Sequence, residues 1–181
     1  MDMFLCGEWS GAKETIEVKN PYDGSVVDTV PKATPEDVDR ALSGLVEGAK
    51  VMRRTAAYDR SQMLRRAAQL MRDRQDELAR TISAEEGKIL AEARVEVARA
   101  ADIVDLSADE ARRLTGEVVP LDASPGVSGK LGFTLRVPCG VVAAISPFNF
   151  PLHLVCHKVA PGIAGGNAVL IKPATDTPLS A

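Results

Sequence analysis

Pro138–Ala181, PCGVVAAISPFNFPLHLVCHKVAPGIAGGNAVLIKPATDTPLSA, decides how the rest of this chain is read. Val141–Ile145 is a short apolar run rich in β-branched residues, as a strand buried on both faces requires. Ser146-Pro147-Phe148-Asn149-Phe150-Pro151 halts it, and Pro151 suits the first position of a following helix. Pro161–Asn167 (PGIAGGN) stops that helix, and Ala168–Ile171 reads as a second strand parallel to the first. A dinucleotide glycine fingerprint follows a strand and opens a helix, so PGIAGGN is in the wrong place to be one. Strand, helix, strand is a βαβ unit, and open α/β sheets bind nucleotides beyond the carboxyl ends of their parallel strands. The loop Lys172-Pro173-Ala174-Thr175 leaves such an end.

Upstream the pattern is different. Ile16–Val18 and Val26–Val30 are strand-like and flank the turn Asn20–Gly24. Thr34-Pro35-Glu36-Asp37 opens a helix, with a hydroxyl cap, a proline at the first turn and acids at the positive end. A second helix starts near Ser61 with Met63, Leu64, Ala67, Leu70, Met71 and Leu78 as its apolar stripe, and its basic face reads as a solvated face with local ion pairs. A third covers Gln75–Glu86 and breaks at Gly87. A long fourth runs from about Ile89 to Leu114, with Ile89, Val95, Val97, Ile103, Val104 and Leu106 on its inner side. Glu117–Leu121 and Gly132–Val137 are β-prone and predict a hairpin, either pairing with a partner subunit or lying on the surface.

Bulk properties exclude several classes. A net charge of -3 gives no electrostatic case for nucleic acid or an anionic membrane, and 4% aromatics leaves no stacking platform for single strands. No apolar run reaches the ~20 residues that a bilayer demands, and MDMFLCGEWSG lacks the basic and apolar regions of a secretory signal. Cys6, Cys139 and Cys156 are an odd set without paired spacing, which fits a reduced cytoplasmic protein.

Four features could carry chemistry. Asn149 sits just ahead of a helix start, where its amide either caps the helix or donates to a developing oxyanion. His153 and His157 fall four apart on one helical face, but the chain has 2 histidines and zinc wants three or four ligands, so helix packing is the better reading. Cys139 and Cys156 lack a neighbouring cation and read as small buried hydrophobes. Lys172, with the hydroxyl of Thr175, suits a dinucleotide ribose or its 2′-phosphate.

Together these residues resemble the aldehyde dehydrogenase superfamily. The likeness rests on PCGVVAAISPFNFPL, the following helix, Gly166-Asn167, a strand and KPATDTPLSA. Upstream it includes NPYDGSVVDTVPKATPEDVDRAL and a helix ending in Glu85-Glu86-Gly87-Lys88. Lactaldehyde, non-phosphorylating glyceraldehyde-3-phosphate and phosphonoacetaldehyde dehydrogenases are the most similar in feel. The resemblance implies an α/β fold in three parts. Residues 1–116 would form N-terminal strands and the helical layer of the cofactor domain, 117–137 the hairpin of an oligomerisation element, and 138–181 the first βαβ of a Rossmann-type NAD(P)-binding domain.

It also implies roles. Asn149 matches the asparagine that supplies half of the oxyanion hole. Ile145, Ser146, Pro147 and Phe148 match the segment lining the cofactor, and Lys172, Ala174 and Thr175 match the loop at the adenosine ribose. Thr175 stands where NAD-preferring members often carry glutamate, so NADP or NAD is expected, with tolerance of the 2′-phosphate. Arg113 in DEARRLTGE matches an arginine that meets an anionic group on the substrate, although an arginine near a helix C-terminus is also stabilised by the dipole alone. The family's nucleophilic cysteine and general-base glutamate match nothing here. The expectation is therefore the N-terminal part of a cytoplasmic enzyme, a dimer or tetramer when full-length, that oxidises an aldehyde through a cysteine thiohemiacetal and thioester. The 181 residues alone are expected to be inactive. The competing expectation is a non-catalytic binding protein that keeps only the start of the fold.

Overall fold

A computed structural model describes residues 1–181. Two short antiparallel pairs come first: β1 (Met3–Leu5) with β2 (Glu8–Ser10), then β3 (Thr15–Lys19) with β4 (Val26–Pro31). Helix α1 (Pro35–Arg54) begins in a capping box: Thr34 Oγ1 accepts from Asp37 N at 3.2 Å, and Thr34 N donates to Asp37 Oδ2 at 3.0 Å. Helices α2 (Ala57–Asp73), α3 (Gln75–Glu86) and α4 (Leu90–Ala111) follow. Gly87 ends α3 in the left-handed region (φ 82°), and a Cβ there would lie 2.8 Å from the Pro21 ring.

The predicted hairpin is much reduced. Only β5 (Val118–Val119) and β6 (Gly132–Phe133) pair, joined through a 3-10 turn at Leu121–Ala123 and fastened by a 2.9 Å bond from Thr134 N to Glu117 O. Leu131, Phe133, Leu135 and Val137 all point into solvent.

The βαβ unit is present, with β7 (Val141–Ile145), α5 (His153–Ala164) and β8 (Ala168–Lys172), the strands parallel and Ile145 opposite Lys172; α5 differs from the reading in starting two residues after Pro151 and in running through Pro161. Helix α5 stops at Gly165 and Gly166, the latter at φ 82°. Asn167 joins strand entry to helix exit. Its Oδ1 accepts from Gly140 N at 3.0 Å and its Nδ2 donates to Gly162 O at 3.0 Å.

One apolar cluster draws on α2, α3, α4 and α5, so segments 1–116 and 138–181 share a core. The inner face of α4 differs from the expected one. Ala93, Val97, Ala100, Ala101, Val104, Ala108 and Ala111 are buried, whereas Ile89, Val95 and Leu106 are exposed. On α2 the buried set is Ser61, Leu64 and Ala68, and Met63 and Leu70 face outward. Small side chains let α2 and α5 both lie close against α4, and bulk at those positions would push them apart. The ion pairs of the basic face likewise run between helices: Arg72 reaches Asp102 at 3.0 Å and Asp105 at 2.6 Å, and Arg65 reaches Asp109. No helix is long and apolar enough to cross a membrane.

Candidate functional site

Two loops leave the carboxyl edge of the β7–β8 pair. Ser146 N donates to Lys172 O at 3.2 Å, which carries the ladder one step past the strands. Further out, Thr177 Oγ1 lies 3.4 Å from Phe148 O and links the loops again. The segment containing Ser146, Pro147, Phe148 and Asn149 thus lies beside the segment containing Lys172, Ala174 and Thr175. Ser146 is buried and its Oγ has no protein partner. Ile145, Phe148, Asn149, Lys172 and Thr175 are exposed, and the Lys172 ammonium sits 3.4 Å from Thr175 Oγ1.

The chain turns into α5 with its helical bonding already begun, since Leu154 N donates to Phe150 O at 3.0 Å. Asn149 does not cap this helix with its side chain. Pro151 has no N–H to offer, and the next two donors, Leu152 N and His153 N, go to Glu96 Oε1 at 3.1 and 3.2 Å. Glu96 comes from α4, its side chain is 1% exposed, and its other oxygen accepts from Lys88 Nζ at 2.6 Å. The same ammonium donates to the Asn149 backbone carbonyl at 3.1 Å, pairs with Glu86 at 3.0 Å, and lies 4.1 Å from the centroid of the Phe150 ring. Burial acts to lower the Lys88 pKa, but its bonds to Glu96 and Glu86 outweigh this and hold it above the usual lysine value. Glu86 is pushed up, chiefly by burial.

The other loop is braced from α3. Glu85 accepts from Leu179 N at 2.6 Å, from Ser180 N at 3.0 Å and from the Ser180 hydroxyl. Burial raises its pKa, and those bonds offset the rise only in part. Glu85, Glu86, Lys88 and Glu96 were not singled out by sequence as site residues. One signal was there: Glu96 interrupts the face formed by Ala93, Val97 and Ala100.

The histidines stack, with ring centroids 4.6 Å apart and Nε2 to Nε2 2.6 Å, and burial together with His157 depresses the His153 pKa. Cys156 is buried as expected, and burial pushes its thiol up to about 12. Cys139 is not buried: it is exposed and its Sγ lies 3.1 Å from Asn167 Oδ1, because β7 begins only after Gly140. Arg113 is exposed and pairs with Glu110 at 3.2 Å. Helices α4 and α5 lie side by side with their starts together, since Glu96 meets Leu152 while Glu110 and Leu114 line a groove with His157 and Pro161. From Glu96 to Arg113 is roughly 25 Å of helix at 1.5 Å per residue, so the structure does not bring Arg113 to Asn149.

The exposed edge is chemically suited to a dinucleotide. It offers a lysine and a hydroxyl at one loop and an open shelf of Ile145 and Phe148 at the strand end, with the Ser146 hydroxyl buried beneath. A neighbouring cleft lined by Glu17, Glu85, Glu86 and Asp176, with Lys19 as its cation, would repel phosphates instead.

Comparison with known proteins gives consistent matches along the chain. The model of the aldehyde dehydrogenase family matches residues 9–181. The 3-sulfolactaldehyde dehydrogenase of Priestia megaterium is 42% identical over 179 residues, covering 99% of this chain and 37% of the relative. The glutarate-semialdehyde dehydrogenase of Pseudomonas putida is 39% identical over 180 residues, covering 98% of this chain and 37% of its own length. Among solved structures, the NADP-dependent glyceraldehyde-3-phosphate dehydrogenase from Bacillus halodurans complexed with NADP superposes with a TM-score of 0.95 at 36% identity, covering 99% of this chain and 38% of that one. The chain therefore spans about 37% of the length of the curated relatives it matches.

Proposed function

The chain belongs to the aldehyde dehydrogenase family, and on that premise we propose that its 138–181 segment forms part of the cofactor and aldehyde site of an enzyme oxidising an aldehyde to a carboxylic acid with NADP or NAD. The observation that carries this reading is the juxtaposition at the β7–β8 edge: the Asn149 amide, free of capping duty, beside a loop bearing Lys172 and Thr175. Ile145, Ser146, Pro147 and Phe148 form the surface on which the dinucleotide lies. Lys172 and the Thr175 hydroxyl, with the Ala174 backbone between them, hold its ribose. Position 175 carries a hydroxyl and no carboxylate, so a 2′-phosphate there meets Thr175 beside the Lys172 cation. The bound dinucleotide supplies a hydride acceptor. Asn149 donates to the aldehyde oxygen as negative charge grows there.

The 181 residues by themselves are proposed not to turn over aldehyde. Cys156, with its thiol up at about 12, is a poor nucleophile, and Cys6 and Cys139 lie outside the two loops. Thiol-dependent formation of NADPH by this chain with aldehyde and NADP+ would overturn that. The substrate is proposed to carry an anionic group. The names of both relatives above denote anionic aldehydes, a sulfonate and a carboxylate. Arg113, roughly 25 Å along α4 from the Asn149 corner and paired with Glu110, is too distant to meet such a group on a short aldehyde held at Asn149. The three free cysteines support a cytoplasmic location, and the exposed Leu131, Phe133, Leu135 and Val137 support assembly with further copies, as a dimer or tetramer.

The decisive experiment joins residues 1–181 to the remaining two thirds of the Priestia relative and compares Asn149→Ala with the parent. Loss of one oxyanion donor lowers kcat by roughly 100- to 1000-fold. An unchanged kcat in a folded variant rejects the assignment. Arg113→Ala in the same enzyme should leave the preference between anionic and neutral short aldehydes unchanged, since roughly 25 Å of helix separates it from the Asn149 corner.

A further inference from the structure

We propose that Glu96 is a positioning residue for Asn149: by taking the free donors at the start of α5, it keeps the Asn149 side chain available to a ligand. This rests on the role proposed for Asn149 and adds to it a reason why that amide stays unengaged. An asparagine just ahead of a helix ordinarily turns its Oδ1 onto the N–H two or three residues on. Here the residue two on is Pro151, which has no donor, and the residue three on is Leu152. Leu152 N is already bonded to Glu96 Oε1, as is His153 N. The capping position is filled from another helix, 56 residues away in sequence.

The arrangement is costly to build, which argues against an incidental contact. A carboxylate with 1% side-chain exposure has lost its hydration, and only engagement of both its oxygens offsets that loss. Oε1 takes two amides, and Oε2 takes the Lys88 ammonium at 2.6 Å. Lys88 then completes the grip by donating to the Asn149 carbonyl at 3.1 Å and lying against the Phe150 ring. One ion pair thus holds the backbone on both sides of the turn, with the carbonyl of Asn149 before it and the amides of Leu152 and His153 after it. The backbone is fixed, and the one polar side chain between the two grips is left free. A plain Asn149 cap would have engaged a donor at the start of α5 and occupied its own side chain.

The test needs no turnover, so its outcome is separable from that of the catalytic assignment. The 181-residue chain is labelled with 15N and 13C, and the Asn149 side-chain resonances are assigned by their loss in Asn149→Ala. Glu96→Gln keeps the reach and one acceptor oxygen, and should leave those resonances at their wild-type positions. Glu96→Leu removes the acceptor, and Glu96→Asp keeps the charge but is one methylene too short. In both, Asn149 should swing onto the vacated donor. Its side-chain amide signals should shift, and a nuclear Overhauser contact should appear between its β-protons and the Leu152 amide. If Glu96→Leu does not fold, Glu96→Asp decides. Wild-type Asn149 signals in a folded Glu96→Asp or Glu96→Leu chain would overturn the proposal, as would an Asn149–Leu152 capping contact already present in the parent.

Discussion

The segments 117–137 and 138–181 are neighbours in sequence and both rich in β-branched residues, yet they are held in opposite ways. In the second, each loop at the strand edge is tied to residues far back in the chain: Glu96 to Leu152 across 56 residues and Glu85 to Ser180 across 95. In the first, two strands of two residues each are fastened by a bond to a threonine, and Phe133 and Leu135 remain 63% and 72% exposed. Strand propensity alone does not decide which segment is rigid. Buried polar ties from a packed helical layer do, and only the segment that has them can hold a side chain in a set direction.

The sharpest contrast should be chemical. Cys139 stands at the junction with the first segment and is exposed, while Cys156 is buried on α5 with its thiol up at about 12. In the folded chain at neutral pH, a thiol reagent should modify the exposed Cys139 far faster than the buried Cys156, which offers the reagent neither access nor thiolate. Comparable rates would mean that the corner opens readily. Next comes the core beneath the corner. Ile82→Ala, at a fully buried position on α3, should lower the urea-unfolding free energy by about 2–5 kcal/mol.

Glu85→Ala should cost about 2–3 kcal/mol by leaving the Leu179 and Ser180 donors unpaired. Its pH dependence has a fixed sign. Burial raises the folded pKa above the unfolded value, so the folded state binds the proton more tightly and the wild type loses stability as pH rises through that interval. The advantage of wild type over Glu85→Gln should therefore be greater at acid pH than at neutral pH. Smallest of all, Phe133→Ser should change unfolding by no more than about 0.5 kcal/mol. It should nevertheless weaken any self-association seen by sedimentation velocity, and a large stability loss would mean that the hairpin is part of the core after all.

The βαβ unit was legible because its signals are local: a β-branched run, a proline at the helix start and paired glycines at its end. Thr34 and Gly87 were legible for the same reason. The inner face of α4 was not, because hydropathy gives weight to Ile89, Val95 and Leu106, while close helix contact selects Ala93, Ala100 and Ala108. The acidic bracket was hidden for a related reason. A glutamate reads as solvated until its partners are known, and the partners of Glu96 are amides more than fifty residues away. Asn149 could be named from sequence with two roles open, and only the position of Glu96 shows which helix donors are already taken.

Opposing Ile145 to Lys172 also gives the corner a parity rule. Side chains alternate along a strand, so one residue added to or removed from β8 would exchange Lys172 for a neighbour that points the other way. Two residues would restore the side but carry the lysine about 6.6 Å along the strand, out of line with the Asn149 turn. Length variation in this family member should thus be tolerated in the 122–130 loop and refused between Asn167 and Lys172, whatever residues are inserted.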